Sequence, residues 1–323
     1  MNETAKNKYI IDTGIGLQGV DNLKNSSYFI NETNKYIKGE ISLDELDCII
    51  SSYYESKPIC ENREEEADKV AVRIAKIISE DSFTFTVGQL LSIHRMLFSD
   101  ILNHPGEIRT YNFTKKEWAL DGDSVTYGDY RDLEMTLQYD FEQEKKFNYK
   151  GLSLNEIIEH LAIFVANLWQ IHVFEEGNTR TTAVFFIKYL RSLGFNITND
   201  VFAKNAWYFR NSLVRANYNN ITKSVYEDRS YLIKFLRNLL LEEHNDLQNR
   251  NLHISTVMTQ EQPISKESKT LNIIKSNSKI TTDELAKELG VSLRTIKNIM
   301  KSLVDKKKIE RMNGKRFGYW KIR

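Results

Sequence analysis

The sequence predicts an all-α fold class, with a helical core, one small β-hairpin and a following winged helix-turn-helix domain. Three observations lead to this prediction. The 323 residues include only three prolines, and apolar residues recur at helical spacing along most of the chain. One segment between residues 106 and 127 alternates instead. Near the C-terminus, a capped helix, a glycine turn and a second cap follow one another.

Charge is divided unevenly along the chain. Lys and Arg nearly balance Asp and Glu overall, but residues 265–323 hold 16 basic against 6 acidic residues. This basic tail predicts an anionic partner. Cys48 and Cys60 are too few for a disulfide framework or a zinc site. No apolar run reaches membrane-spanning length and no signal-peptide pattern opens the chain, so we expect a cytoplasmic protein with no membrane contact.

A glycine-rich stretch near the start has the spacing of a dinucleotide-binding loop. Gly14, Gly16 and Gly19 fit the Gly-x-Gly-x-x-Gly pattern, and residues 9–11 before them could form a short strand. No βαβ repetition follows, and the next segments have helical periodicity. We therefore do not expect a dinucleotide here. Ordinary helix-end chemistry explains the same residues.

Residues 106–127 predict a β-hairpin. Residues 106–113 alternate between apolar and polar types, and Asp121 and Gly122 supply a turn before a second short strand at residues 125–127.

The densest group of chemically active side chains lies between two predicted helices. Apolar residues repeat along one helix face from Ile157 to Leu168, and a second periodic run, Ala183 to Leu193, is stopped by Gly194. His172 therefore closes the first helix, and residues 178–180 open the second.

This loop suits a phosphate group. Free N–H groups at a helix start favour an anion, and Arg180 can donate two hydrogen bonds to phosphate oxygens. Glu176 is an oxygen ligand of the kind that Mg²⁺ takes alongside phosphates. His172 could accept a proton from an incoming hydroxyl. The alternative interpretation of the same residues is an ordinary polar helix end whose charges are solvated.

The segment resembles the signature of the Fic family, in which a histidine, a phenylalanine and an acidic residue precede Gly-Asn-Gly-Arg. Family members mostly transfer AMP from ATP to a protein hydroxyl and release pyrophosphate. The resemblance implies that His172 is the catalytic base and Glu176 the Mg²⁺ ligand. The matching residues are His172, Phe174, Glu176, Gly177, Asn178 and Arg180.

The resemblance also implies a set of nucleotide-binding residues. Some lie in the loop, and others lie on a downstream helix that borders the base and ribose in the family. Aromatic residues at helical spacing also pack in cores, so a core role stays open for each downstream residue. The set is Phe174, Gly177, Asn178, Thr179, Arg180, Tyr208, Asn211 and Asn217.

Three positions depart from the family pattern. Val173 replaces a common proline, and Thr179 replaces the second glycine, so the loop lacks that residue's conformational freedom. Ala183 stands where a second arginine is usual, which leaves one contact to the terminal phosphate without its usual residue.

Many Fic proteins carry an N-terminal inhibitory helix whose glutamate pairs with that second arginine. Gly14, Gln18 and Gly19 resemble this regulatory motif with its first residue and its glutamate altered, and residues 51–56 are a rival position. Because Gln18 is neutral and Ala183 carries no charge, the resemblance implies that inhibition is weak.

In the family the hairpin is a flap that docks the target, which implies a protein substrate near residues 109–127, the chain itself included. A surface hairpin without a partner is the alternative.

The C-terminal segment has the spacing of a helix-turn-helix and resembles a winged helix. Its third helix has an apolar side and a polar, basic side, which could face the major groove of DNA while wing lysines meet phosphates. Winged helices also bind proteins, so a protein partner stays open. The polar and basic residues are Arg294, Thr295, Lys297, Asn298 and Lys301.

We therefore expect an N-terminal helical segment at 1–55, a Fic catalytic core at 56–246, a linker at 247–269 and a winged-helix domain at 270–323. The expected function is AMP transfer from MgATP, with ATP and Mg²⁺ as cofactors, to a Ser, Thr or Tyr hydroxyl. The alternatives are a DNA-binding regulator whose core senses a nucleotide, and a Fic enzyme that uses another phosphate-linked donor or removes AMP. The target and the oligomeric state stay open, a homodimer included.

Overall fold

The protein divides into a larger helical unit, Met1–Ser255, and a C-terminal unit, Thr256–Arg323. The computed structural model describes residues 2–56, 63–197, 200–255, 266–306, 308–312 and 318–322. None of the helices among these residues is both long and apolar enough to cross a bilayer. Within the described residues, the larger unit contains α1 (Glu3–Leu17), α2 (Ser27–Ile37), α3 (Leu43–Glu55), α4 (Glu64–Ser79), α5 (Val87–Phe98), α6 (Leu133–Lys146), α7 (Leu154–Ile171), α8 (Asn178–Ser192), α9 (Asp200–Ala216) and α10 (Ser230–Leu241).

Helix α8 lies at the centre of the larger unit. Every residue from 178 to 190 is buried, because α4, α5 and α7 pack around this helix. The ends of the two central helices agree with the sequence: α7 stops at Ile171 and α8 starts at Asn178. The loop between them is therefore held by the core on both sides.

Helix α1 crosses two other helices at its glycines. A Cβ atom on Gly14 would lie 2.1 Å from the carbonyl oxygen of Ala71 on α4, and one on Gly16 would lie 2.2 Å from that of Ala203 on α9. Residues 9–11, which could have formed a strand, lie inside α1. The glycines therefore allow close helix packing. This agrees with the prediction that the stretch is not a dinucleotide-binding loop.

The N-terminal helices are an integral part of the larger unit. The buried carboxylate of Asp68 on α4 accepts hydrogen bonds from the hydroxyls of Ser26 and Tyr54, both at 2.6 Å. Asn25 donates to the same carboxylate at 3.0 Å. Because a buried carboxylate needs such partners, these bonds tie α2 and α3 to α4.

The prediction of two strands within residues 106–127 is wrong. The structure assigns no strand in this range, which is fully described, although Asp121 and Gly122 do form a turn with positive φ. Around that turn, the N–H groups of Glu117 and Gly122 donate backbone hydrogen bonds that join the two arms of the segment. Side chains take the place of the other ladder bonds, since Ser124 accepts from the N–H of Lys115 and Arg109 donates to several carbonyl groups.

The first part of the predicted linker packs against the helical unit. Leu252 and Ile254 are buried, and the hydroxyl of Tyr231 donates to the carbonyl of Asn251 at 2.8 Å. The polar composition of this stretch concealed these two apolar anchors. Residues 256–265, like Cys60, lie outside the described residues.

The C-terminal unit has the predicted winged-helix elements. Its helices enclose a separate apolar core, and the two strands pair antiparallel with Ile309 opposite Ile322. The basic wing turn at residues 313–317 lies outside the described residues. The elements are α11 (Lys266–Ser276), α12 (Thr282–Glu288), α13 (Leu293–Asp305), β1 (Ile309–Met312) and β2 (Tyr319–Ile322).

We predict that Gly14→Ala destabilises the protein, because the new methyl group would meet a backbone oxygen that cannot rotate away. The expected loss is about 2 kcal/mol in the free energy of unfolding, measured by urea denaturation. Gly19→Ala is the matched control, since its nearest neighbouring atom would be 3.9 Å from the new Cβ. Equal stability of the Gly14→Ala variant and the wild type would contradict the tight crossing of α1 and α4.

Candidate active site

His172 lies at the C-terminal end of α7 and is almost completely buried. It adopts a left-handed backbone conformation with φ of 52°, which turns the chain out of the helix. Its Nδ1 atom is 3.2 Å from the carbonyl oxygen of Trp169. A carbonyl can only accept, so the proton lies on Nδ1 and the lone pair on Nε2. The ring therefore offers a base on Nε2.

Aromatic rings and positive charge keep His172 neutral. Tyr127 stacks on the imidazole with the ring centroids 4.0 Å apart, and Phe113 and Trp169 contact its edge. Burial, followed by the charge of Lys115, lowers the pKa of His172 to about 3. An uncharged imidazole can accept a proton without first losing one.

Arg109 holds the backbone around His172. Its Nε donates to the carbonyl of His172 at 2.7 Å, and its other nitrogens donate to the carbonyls of Tyr111 and Gly128. The backbone N–H of Arg109 also donates to the carbonyl of Val173 at 2.9 Å. One buried guanidinium thus joins both ends of the loop at residues 109–128 to the turn after α7.

Phe174 and His94 anchor the turn between α7 and α8. The two rings stack with centroids 3.7 Å apart, and both are buried. Nδ1 of His94 accepts from the N–H of Gly106, so its Nε2 carries the proton and donates to the carbonyl of Glu176 at 3.0 Å. Burial lowers the pKa of His94 to about 4. The carboxylate of Glu176 remains half-exposed, 3.6 Å from the Nζ of Lys115.

The remaining loop residues shape an open helix start. Asn178 exchanges hydrogen bonds with the backbone N–H and carbonyl of Phe174, and Thr179 accepts from the indole N–H of Trp169. Gly177 has a φ of 75°, and a Cβ there would lie 2.4 Å from the ring of Phe98. Among the described residues no side chain caps α8, so its first N–H groups have no side-chain acceptor there.

Arg180 is fully buried in a charge cluster. Its Nη2 lies 2.6 Å from Glu66 and 2.9 Å from Asp21, and its Nη1 donates to Gln18 at 3.1 Å. Burial raises the pKa of Asp21 and Glu66, but the charge of Arg180 helps to bring both below their ordinary values. The Nε of Arg180 is buried with no hydrogen-bond partner among the residues that the structure describes.

Gln18 is the residue of the altered regulatory motif that reaches Arg180. Its side chain also donates to the carbonyl of Gly14 one turn earlier, at 2.9 Å. The rival stretch at residues 51–56 instead ends α3. Sequence reasoning missed Asp21 and Glu66. Asp21 lies only one turn after Gln18, which is a usable signal, whereas nothing in the sequence connects Glu66 with Arg180.

Comparisons with known proteins identify the families that two segments of the chain resemble. The Fic/DOC family model matches residues 84–190, and a model described as winged helix-turn-helix DNA-binding matches residues 266–310. Residues 84–190 are a Fic/DOC domain. The chain is 26% identical over 117 residues to the protein adenylyltransferase VbhT of Bartonella schoenbuchensis, a match that spans 36% of this chain and 23% of that protein.

Two solved structures also resemble the chain. One is a Fic family protein from Desulfovibrio desulfuricans G20, with 14% identity, a TM-score of 0.45, and coverage of 98% of this chain and 87% of that one. The other is the N-terminal FIC domain of the Bep8 protein from Bartonella sp. 1-1C, with 18% identity, a TM-score of 0.43, and coverage of 59% and 91%.

The three downstream candidates for nucleotide contact lie outside the Fic match: Tyr208 and Asn211 are on α9, and Asn217 follows it directly. Tyr208 and Asn211 are buried, and they bond to the carbonyl of Tyr231 and to the side chain of Asn249. Asn217 lines a polar cavity of about 250 Å³. Gln170, two residues before His172, lines the same cavity. The geometry therefore favours Asn217 over the other two as a residue that a ligand could reach.

The C-terminal winged helix presents a basic face. Four polar residues of α13 recur at helical spacing and are all exposed, while Ile296, Met300 and Leu303 on the opposite side are buried. Thr295 is half-buried and donates its N–H to the cap residue Ser292. The exposed residues are Arg294, Lys297, Asn298 and Lys301.

We predict that His172 stays neutral down to about pH 5, whereas a histidine in an unfolded chain titrates near 6.5. Its folded pKa is depressed, so the stability linked to this group is present above pH 6.5 and is lost as the pH falls towards 3. An NMR titration of the imidazole carbon shifts, assigned with the His172→Gln variant, measures this. A midpoint near 6.5 would mean that the ring is solvated in solution.

Proposed function

We propose that the chain is a Fic-type protein adenylyltransferase that moves AMP from MgATP to a Ser, Thr or Tyr hydroxyl and releases pyrophosphate. One observation supports the proposal: only five residues separate His172, a neutral base with its lone pair on Nε2, from the uncapped N-terminus of α8. A base next to an anion-binding helix start is the arrangement that phosphoryl chemistry on a hydroxyl needs.

In the proposed step, the target hydroxyl oxygen attacks the α-phosphorus of ATP. The bond between that phosphorus and the bridging oxygen to the β-phosphate breaks, and pyrophosphate leaves with the electron pair. The hydroxyl proton passes to Nε2 of His172, while Nδ1 keeps its own proton and continues to donate it to the carbonyl of Trp169. This requires His172 to be neutral beforehand, which burial ensures.

The helix start would hold the phosphates. The N–H groups of Asn178, Thr179 and Arg180 are the first three of α8, and a helix leaves these donors without internal partners. The buried Nε of Arg180 is a further free donor within the described residues. The half-exposed carboxylate of Glu176 fits Mg²⁺, which binds one or two carboxylates together with phosphates and neutralises their charge.

Base binding and regulation complete the proposal. The polar cavity beside Asn217 would take the base or ribose. The segment at residues 109–127 would position the target hydroxyl, on another protein or on this chain, although without the strand edge that sequence analysis predicted. Inhibition through Gln18 would be weak, because a neutral amide makes a single 3.1 Å bond to Arg180.

The test is transfer of label from ATP to protein in the presence of Mg²⁺. We expect covalent label on the chain itself or a target when the α-phosphate is labelled, and none when the γ-phosphate is labelled. His172→Ala should lose at least about a hundredfold in rate, the contribution of a general base. Label from the γ-phosphate would instead indicate a kinase-like orientation.

Two controls make this test decisive. A mass increase equal to one adenylyl group, which is AMP less one water, identifies the transferred group and separates this reaction from use of another donor. A chain that is AMP-modified beforehand and loses the group faster than it gains it would favour AMP removal. Transfer by His172→Ala at the rate of the wild type would contradict the role of this residue.

A second function is supported by the C-terminal unit. We infer that the exposed face of α13 binds duplex DNA, because four polar and basic residues recur on one side of the third helix of a winged helix-turn-helix. This function could coexist with transfer or replace it, with the Fic domain sensing a nucleotide.

We predict that Lys297→Ala weakens binding to duplex DNA and lowers the slope of log affinity against log salt by about one. Fluorescence anisotropy over a range of salt concentrations measures both quantities. Lys287→Ala, which removes an exposed lysine from α12, is the matched control and should have the smaller effect. If the wild type does not bind duplex DNA even at low salt, the result would favour the alternative that the winged helix binds a protein.

A further inference from the structure

The extended segment at residues 113–117 turns alternate side chains towards the active site. Phe113 contacts the edge of the His172 ring, and Glu117 is buried in an ion pair with Arg210. Lys115, midway between them, faces Glu176. The intervening residues Thr114 and Lys116 are exposed. This alternation follows from the two-residue period of extended backbone.

The segment is fixed on both sides of Lys115. The hydroxyl of Tyr127, whose ring stacks on His172, donates to Glu117 at 3.0 Å. The backbone N–H of Lys115 itself donates to the hydroxyl of Ser124 at 3.3 Å. These hydrogen bonds fix the backbone on both sides of Lys115, so its aliphatic side chain starts from a defined position.

The positive charge of Lys115 influences the active site, but its ammonium group is not held there by a hydrogen bond. Its Nζ lies 3.6 Å from Glu176, which is longer than a hydrogen bond, and a third of its side chain is exposed. Burial followed by this charge lowers the pKa of His172. Burial raises the pKa of Asp21, but Arg180 and then Lys115 bring it below its ordinary value.

The neighbouring cations are already occupied. Each donates to carboxylate or carbonyl oxygens at hydrogen-bonding distance, so an incoming anion would have to compete for it. Among these cations, and within the described residues, Lys115 alone has a side chain that donates no hydrogen bond. The occupied cations are Arg63 with Glu66, Arg109 with three carbonyls, Arg180 with Asp21 and Glu66, and Arg210 with Glu117.

We propose that Lys115 binds the phosphate chain of the nucleotide, an inference that rests on the proposed function of the same site. In the free protein the ammonium group lies near the carboxylate of Glu176. When a nucleotide brings Mg²⁺ to that carboxylate, the flexible stem of Lys115 lets its charge turn to a phosphate oxygen. Lys115 is then a specificity residue that favours nucleotides with more phosphate groups.

The test compares Lys115→Gln with Lys116→Gln in the full chain. Both variants remove one positive charge, but only Lys115 faces the site, so the adjacent lysine controls for overall charge. Isothermal titration calorimetry gives the Kd for MgATP, MgADP and AMP. We expect Lys115→Gln to weaken MgATP binding about tenfold, which is a loss of about 1.4 kcal/mol, and to change AMP binding less. Lys116→Gln should stay within about twofold of the wild type.

A further variant keeps the test valid if Lys115→Gln alters the loop. Lys115→Arg retains the charge, so it should bind MgATP within a few-fold of the wild type. Equal losses for Lys115→Gln and Lys116→Gln, or an equal loss for AMP and MgATP, would overturn the inference while leaving the proposed function intact. A wild type that does not bind MgATP at all would overturn both.

Discussion

A guanidinium group with no exposed surface holds distant parts of the larger unit together. Arg180 lies in the first turn of α8, and its charge is balanced by Asp21 after α1 and by Glu66 at the start of α4. A buried charge is stable only when it is paired and hydrogen-bonded, and loss of one partner costs about 3–5 kcal/mol. The N-terminal helix is consequently a structural part of the site. The tight glycine crossing at Gly14 brings Gln18 and Asp21 to Arg180.

The second constraint is the environment of His172. A left-handed backbone, a carbonyl held by Arg109 and a stacked Tyr127 leave the ring little freedom. Burial keeps it uncharged, and the bond to Trp169 leaves the lone pair on Nε2. The same loop that supplies Tyr127 also supplies Lys115. Movement of this loop would therefore change the base and the local charge together.

Short-range features of the sequence predict much of this architecture. The end of α7, the start of α8, the turn at Asp121 and Gly122, and the winged-helix elements all depend on local patterns, and the structure confirms them. Tertiary partners depend on the whole fold. Arg180 meets Gln18 and Glu66 across 162 and 114 residues, which no local pattern encodes.

The prediction for residues 106–127 shows where local reasoning stops. Alternation predicts extended backbone, but it does not say which atoms satisfy the hydrogen bonds. Here Arg109 and Ser124 supply several of them, so the arms do not form a regular ladder. Alternation also does not say which face points inward, and so it could not distinguish Lys115 from Lys116.

The most direct measurement is a crystal structure of the His172→Ala protein with MgATP, in which the nucleotide stays intact. The central claim is that the loop between α7 and α8 is a nucleotide phosphate site. It predicts phosphate oxygens within hydrogen-bonding distance of the N–H groups of residues 178–180, with Mg²⁺ on Glu176. A nucleotide bound elsewhere, with this helix start left free, would contradict the account.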